Sequence, residues 1–274
     1  MPPITNETAR PPLLVGLDAQ PAENFPNVDG IGNAVHRYDN GPQKNVPMIR
    51  WLGTAQERGL WAVVQGTAAD AQGVNLADFP NVVAVAHDDE PDLNRYDPAR
   101  TNMMIYTPAD APHKGAIGWT RPEVLRVRAE QWRAKWPHLP ISVNFAGPSL
   151  SNAYYAPPLN LHAEYIGTSD EHGFDKYPKN NQGDGGALYE LPYIVRKLRD
   201  SRANVVDAYL ECSDQALDGS EGGGSSRGPT PTEQGTMFWS LICHGVRRIW
   251  YFPQRIGKNN SPPFRYNNVA PDNR

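Results

Sequence analysis

A parallel α/β fold is what this sequence predicts, and three observations predict it. Seven short apolar runs of β type recur along the 274 residues. Segments with the 3.6-residue period of amphipathic helices lie between several of them, an alternation that belongs to parallel sheets covered by helices. Most of the runs are apolar almost throughout, as strands buried on both faces must be. A chain of this length fits one large α/β barrel or two small domains. With no internal repeat to divide it, the reading is a single domain over residues 1–274, a (β/α)8 barrel of the TIM type.

The strand-like runs, in order, are Leu13–Asp18 (LLVGLD), Trp61–Gln65 (WAVVQ), Val82–His87 (VVAVAH), Ile141–Ala146 (ISVNFA), Glu164–Ser169 (EYIGTS), Val205–Glu211 (VVDAYLE) and Arg248–Pro253 (RIWYFP). Before the second run, Met48, Trp51, Leu52 and Ala55 form one helical stripe that Gly59 stops. Pro122–Trp136 has Pro122 early in its first turn, where a missing N–H costs nothing, and sets Leu125, Ala129, Trp132 and Trp136 on one face. Ala187–Leu198 presents Leu188, Leu191, Ile194, Val195 and Leu198, with Pro192 tolerable near the helix start or as a kink. Thr232–Val246 presents Phe238, Leu241, Ile242 and Val246. Seven runs are one short of eight. Counting the first as the barrel's second strand leaves strand one missing or hidden in the irregular N-terminal stretch, and no closing helix is evident after Pro253. The expected barrel is therefore trimmed or incomplete.

Long polar segments rich in Gly and Pro separate these elements: Pro21–Asn45, Asp92–Gly118, Gly147–Leu159, Tyr177–Gly186 and Leu217–Pro231. They follow the C-terminal ends of strands, where barrel enzymes build their sites, and loops of such length are uncommon without a function. The run Gly219–Gly228 (GSEGGGSSRG) lacks the Lys-Ser/Thr that a phosphate cradle needs and reads as a mobile loop.

Composition narrows the function classes. The formal net charge of −4 supplies no basic footprint for nucleic acid or an anionic membrane surface. No apolar run approaches the roughly 18 residues of a membrane span. The stretch Met1–Pro12 has neither the basic nor the apolar region of a signal peptide; extracellular action fits if a leader has been removed. Two cysteines, Cys212 and Cys243, cannot make a disulfide framework or a zinc site, and two free buried thiols are the expectation. Seven Trp and twelve Tyr form a large aromatic inventory, suited to packing a core and equally to stacking on sugar faces.

The sharpest chemical feature is His87-Asp88-Asp89-Glu90-Pro91-Asp92, directly after the apolar VVAVA. A strand that turns abruptly into carboxylates delivers acids to a barrel mouth. Like charges so close repel, so one of them should titrate high, and a carboxyl held protonated near neutral pH can protonate a glycosidic oxygen. Taken alone, such a cluster is more often a solvated acidic turn. Glu211 is the second feature, a charge closing the apolar run VVDAYLE, costly there unless it is paired or at the mouth. Two such glutamates together fit the requirement of glycosidases for two carboxyls across the scissile bond, about 5–5.5 Å apart for retention and about 6.5–9.5 Å for inversion.

With these residues in place, the chain resembles the large clan of retaining (β/α)8 glycosidases. Glu90 follows the fourth strand and Glu211 ends the seventh, the two places where that clan carries its acid/base and its nucleophile. The tripeptide Asp89-Glu90-Pro91 after an apolar strand recurs in several branches. So does a helix-then-strand pattern like Phe238-Trp239-Ser240 followed by His244-Gly245-Val246-Arg247-Arg248-Ile249-Trp250-Tyr251-Phe252. The resemblance spans roughly residues 13–254 and implies Glu90 as general acid/base, Glu211 as nucleophile, net retention and no cofactor. Many members carry Asn just before the acid/base, where it binds the sugar 2-hydroxyl; this chain has Asp89, which we expect to keep Glu90 protonated. A tyrosine after the sixth strand often orients the nucleophile, and Tyr177 is the nearest match, with His172 as rival.

Other strand ends offer sugar-binding groups: Asp18, Gln65, Asn144, and Asp170 with His172. His36-Arg37-Tyr38-Asp39 reads as part of a long loop facing a hydroxyl-rich or anionic ligand, and Trp250 or Phe252 as the floor of the subsite beside the bond being cut. The expected partner is a poly- or oligosaccharide. Two rival classes stand beside this reading. A metal-dependent barrel hydrolase would use His87, Asp88 and His172, but no His-x-His or HExxH is present. A non-catalytic carbohydrate-binding barrel would use the same cleft, with no need for a paired acid and nucleophile. A dinucleotide G-x-G-x-x-G is missing.

Overall fold

The computed structural model describes residues 2–5, 8–18, 25, 32–37, 47–68, 71, 73–92, 95–96, 117–118, 120–147, 150, 161–178, 188–211 and 229–252; for Arg95, Tyr96, Ile117, Gly118, Leu161, Glu211 and Phe252 only the backbone is described. Eight parallel strands close a barrel: β1 (Leu14–Leu17), β2 (Ala34–Arg37), β3 (Trp61–Gln65), β4 (Val82–Asp89), β5 (Ile141–Ala146), β6 (Glu171–Lys176), β7 (Val205–Glu211) and β8 (Arg248–Phe252). Each pairs with the next, and β8 closes on β1 with Leu14 opposite Arg248 and Leu17 opposite Tyr251. Helices α1 (Met48–Glu57), α2 (Pro122–Lys135), α3 (Leu161–Ile166), α4 (Glu190–Asp200) and α5 (Pro231–Cys243) run between strands. A short antiparallel pair, Arg95–Tyr96 with Ile117–Gly118, lies in the insertion after β4.

The barrel is therefore closed, and the strand that seemed absent is β2. It was hidden inside the segment read as a loop because two of its four residues, His36 and Arg37, are polar. Both are buried all the same. His36 meets the Asp18 carboxylate, and the Arg37 guanidinium lies 5.9 Å from the centre of the Trp51 ring. The run Leu13–Asp18 is thus the first strand, not the second.

The sixth strand also differs from expectation. EYIGTS falls on the end of α3 and the turn after it, and the strand is the following EHGFDK. Hydropathy misleads here because all four ionisable residues of β6 are buried with partners. Glu171 binds Arg248 (2.7 Å), Lys176 binds Glu190 (2.6 Å), Asp175 accepts from the Gly147 N–H, and backbone groups hold both nitrogens of His172. α4 begins at Glu190 rather than residue 187, which puts Pro192 in its first turn, where the absent N–H would have no helical partner. α5 starts one residue earlier than the apolar period indicates, at a capping box in which the Glu233 N–H donates to Thr230 and the Glu233 carboxylate accepts from the Thr230 N–H. Cys243 is free and exposed, not buried; Cys212, the run Gly219–Gly228 and the tail after Phe252 lie outside the described residues.

Two apolar layers follow from strand alternation. Outward residues such as Val85, Ile141, Phe145, Phe174 and Ile249 pack under the helices against Trp51, Trp132, Ile194 and Leu241. Inward residues Leu14, Ala34, Trp61, Val63, Ala84, Ala86, Tyr209 and Trp250 fill the barrel. Gly16 makes room for the last of these, since a Cβ there would stand 2.8 Å from the Trp250 ring and 2.3 Å from the Ala34 carbonyl oxygen. Among the described residues, no helix is long and apolar enough to cross a membrane.

Candidate active site at the C-terminal mouth of the barrel

Because all eight strands are parallel, their C-terminal ends open on one face, and β4 brings most to it. Its register with β5 shifts between Ala86 and Asp88: Ala86 pairs with Ser142, Asp88 with Val143 and Asp89 with Asn144. One extra residue is thereby inserted. His87 and Asp88 both turn toward the helices, where His87 Nε2 lies 2.8 Å from Ser169 Oγ and Asp88 binds Arg128 of α2 at 2.8 Å. Burial, reinforced by Arg128 and Arg133, pushes the His87 imidazole down to about 3.

Asp89 then faces the interior, where its Oδ1 accepts from Asn144 Nδ2 (2.9 Å). Glu90 follows at φ 49°, in the left-handed region that side-chain-bearing residues seldom adopt. Its N–H donates to the Asn144 carbonyl at 2.8 Å, which holds that unusual turn in place. Asp92, buried, accepts from the Ala146 N–H (2.8 Å) and meets His162 Nε2 (2.9 Å), so the fourth acid of the cluster ties the loop down.

From β6 come Asp175 and Tyr177. Burial, then Asp89 and Asp92, push the Asp175 carboxyl up to about 8, against the opposing hydrogen bond from the Gly147 N–H. The Tyr177 phenol is raised by burial and then by Asp175, Asp18 and Asp89, which puts these four side chains in one electrostatic neighbourhood. An acid that titrates high is thus present on β6. Sequence reading passed over Asp175 because the strand carrying it went unrecognised; its position two residues before Tyr177 was the available signal.

Asp175→Asn provides a direct check. The folded state holds this proton more tightly than the unfolded chain, so the group's penalty is absent below about pH 4 and grows as pH rises to about 8. The variant is expected to gain stability over the parent across that window, by up to about 1.4 kcal/mol per pH unit. Urea midpoints of the two proteins at several pH values measure the gap, which should widen with pH.

The remaining predicted residues divide by depth. Asp18 closes β1 and Gln65 ends β3, both at the mouth and largely covered. His36, fully buried on β2 beside Asp18, has its ring 5.5 Å from Trp250 and 5.7 Å from Tyr209, so it supports Asp18 instead of projecting from a loop. Trp250 is likewise fully buried and donates Nε1–H to Asp207 at 2.8 Å. His172 stands on the outer face of β6, stacked on Phe145, its Nε2 directed at the Ile166 carbonyl and its Nδ1 accepting from the Asn204 N–H. Asp170 precedes β6 and binds Arg133 and the Ile141 N–H, at the far end of the barrel. His87, Asp88 and His172 are therefore not gathered at the mouth, and no group of His, Cys, Asp and Glu among the described residues is placed to hold a metal ion.

Glu211 is the last residue of β7, paired with Phe252 and two positions beyond Tyr209 in the alternation that turns Asp207 and Tyr209 inward. The side chains of Glu211 and Phe252, and residues Tyr38 and Asp39, lie outside the described residues.

No protein-family model and no curated protein matches the sequence. Solved structures do. The chain superposes on an exo-β-1,4-mannosidase from Opitutaceae bacterium strain TAV5 with a TM-score of 0.54 at 14% identity, covering 87% of this chain and 51% of the mannosidase. A mutant xylanase A of P fluorescens subsp. cellulosa in complex with xylopentaose gives 0.56 at 12% identity, covering 89% and 87%. A β-galactosidase from the psychrophilic Marinomonas ef1 gives 0.60 at 11% identity, covering 89% and 55%. The chain thus spans about half the length of the mannosidase and the galactosidase. At such identities the likeness establishes a shared TIM-barrel fold, and the proteins that share it are glycosidases.

Proposed function

We propose that this protein is a retaining glycosidase acting on O-glycosidic bonds of an oligo- or polysaccharide, with residues 1–274 as its catalytic domain. One observation carries the reading: Glu90 and Glu211 stand at the C-terminal ends of β4 and β7, three strands apart around a closed eight-stranded barrel. Two-step displacement at a sugar ring demands a pair of carboxyl groups across the bond being cut, and these two strand ends each carry a glutamate. The barrels it resembles, a mannosidase, a xylanase bound to xylopentaose and a galactosidase, support a carbohydrate substrate.

In the first step the Glu211 carboxylate bonds to the anomeric carbon as the bond to the leaving oxygen breaks, and that oxygen takes the Glu90 proton. In the second, Glu90 removes a proton from water, the water oxygen bonds to the anomeric carbon, and Glu211 leaves. Asp89 and Asn144, joined to each other, and Tyr177 line the mouth and are the groups offered to sugar hydroxyls. The residues require no cofactor for this chemistry.

The test is hydrolysis and binding of an oligosaccharide panel by the parent, Glu90→Gln and Glu211→Gln. The reading expects both variants to lose turnover while glycan affinity stays within a few-fold. Turnover unchanged in both would reject the assignment, and binding without turnover in the parent would identify a carbohydrate-binding barrel instead.

A further inference from the structure

The position of the inserted residue in β4 decides which acids reach the mouth. Ala84 and Ala86 point into the barrel. In an unbroken strand the same alternation would send residue 88 inward and residue 89 toward the helices. The structure does the reverse, because the shift between Ala86 and Asp88 resets the parity. A bulge of this kind bends the strand and re-aims the side chains after it. Left to itself it costs ladder pairing, so something must hold it.

Asp88 is that something. One of its carboxylate oxygens, Oδ2, accepts from Arg128 Nη1 at 2.8 Å, and the other, Oδ1, accepts from the Asp89 N–H at 2.9 Å. The ion pair is partly buried, with side-chain exposures of 16% for Arg128 and 13% for Asp88, and it fastens the bulge to the middle of α2. Directly beyond it stand the two contacts that orient the candidate acid, Asn144 Nδ2 to Asp89 and the Glu90 N–H to the Asn144 carbonyl. The guanidinium of α2 is therefore linked to Glu90 by a short chain of hydrogen bonds running through the inserted residue.

We propose that Arg128, through Asp88, is a positioning residue for the acid/base: it holds the β4 bulge in the register that turns Asp89 and Glu90 to the mouth. This rests on the glycosidase reading for its kinetic consequence but not for its structural one. Arg128 touches no substrate in this scheme. Its effect is on how Glu90 is presented, and misplacement of a catalytic group by about 1 Å costs on the order of 100-fold.

The experiment compares the parent with Arg128→Met, Arg128→Lys and, as control, Arg133→Met, which removes an exposed ion pair to Asp170 from the same helix. On a glycoside that the parent hydrolyses in a Glu90-dependent way, Arg128→Met is expected to lower kcat about 10- to 100-fold with KM little changed. Arg128→Lys should recover part of that loss, and Arg133→Met should behave as the parent. Crystal structures of the parent and the Arg128 variants supply the second readout: loss of the Asp89–Asn144 pairing in Arg128→Met is expected even for a protein with no turnover. Parent-like kcat together with an unchanged β4 register in Arg128→Met would overturn the proposal. Should Arg128→Met not fold, Arg128→Lys carries the same two readouts, and full kcat with unchanged register in it would overturn the requirement for the guanidinium. A parent that hydrolyses nothing contradicts the glycosidase reading alone, while the register still tests the bulge.

Discussion

Asp207→Ala is expected to lower the folding free energy by about 3–5 kcal/mol, the range seen when one partner of a buried ion pair is removed. Arg248 is fully buried inside the barrel at the first position of β8. Asp207 takes hydrogen bonds from its Nε (2.6 Å) and its Nη2, and Glu171 stands 2.7 Å from its Nη1. Burial alone would lower the guanidinium's proton affinity; Asp207 first and Glu171 next outweigh it and keep Arg248 charged. Without Asp207, that charge keeps a single carboxylate, and burial already raises the proton affinity of Glu171. Trp250 Nε1 loses its acceptor in the same stroke. The remaining Glu171 contact places the loss toward the lower end of the range. Urea unfolding of the variant against the parent measures it, and a change below about 1 kcal/mol, the scale of an exposed ion pair, would show that the interior charges are not coupled to folding as described.

The second large effect is kinetic and separates the two glutamates. Glu90→Gln removes the proposed proton donor, so cleavage of substrates with poor leaving groups should fall by about 10²–10⁴, the usual contribution of general acid catalysis. Aryl glycosides whose leaving group departs without a proton should be spared in the first step, leaving the second, water-activated step to limit turnover. Glu211→Gln removes the proposed nucleophile and should suppress both substrate types at least as strongly, because the proposed first step has no other route. The measurement is kcat/KM across a series of aryl glycosides of graded leaving-group acidity. A steep dependence on leaving group in Glu90→Gln and flat, uniformly low values in Glu211→Gln are expected. Equal sensitivity in both variants would contradict the division of roles.

Six strands were legible in the sequence because burial on both faces leaves an apolar run, as in WAVVQ, ISVNFA and VVDAYLE. The two that were not, β2 and β6, owe their burial to partners distant in sequence: Asp18 for His36, Trp51 for Arg37, Arg248 for Glu171, Glu190 for Lys176. A linear pattern carries no trace of such pairings. The ordinal positions of Glu90 and Glu211 were unaffected, since the hidden β2 lies after the first run instead of before it and the later strands keep their count.

At the site, strand-end position marked Asp18, Gln65 and Asn144, and the family resemblance marked Asp89 and Tyr177. Depth and side were harder to read. The full burial of Trp250 and His36 and the outward side of His172 depend on what the neighbouring strands and helices place around them. The bulge at His87–Asp88 was invisible for a similar reason: register is a relation between two strands, and the parity of Asp88 against Asp89 depends on what β5 places opposite them.

The proposed retaining mechanism requires Glu211 to form a covalent bond to sugar. Incubation with a 2-deoxy-2-fluoro glycoside of whichever sugar the parent hydrolyses, followed by peptide mass spectrometry, is the most direct trial. The prediction is one glycosyl increment on the peptide containing Glu211, lost in Glu211→Gln. An increment on any other residue, or products released with inverted anomeric configuration and no adduct, would contradict it.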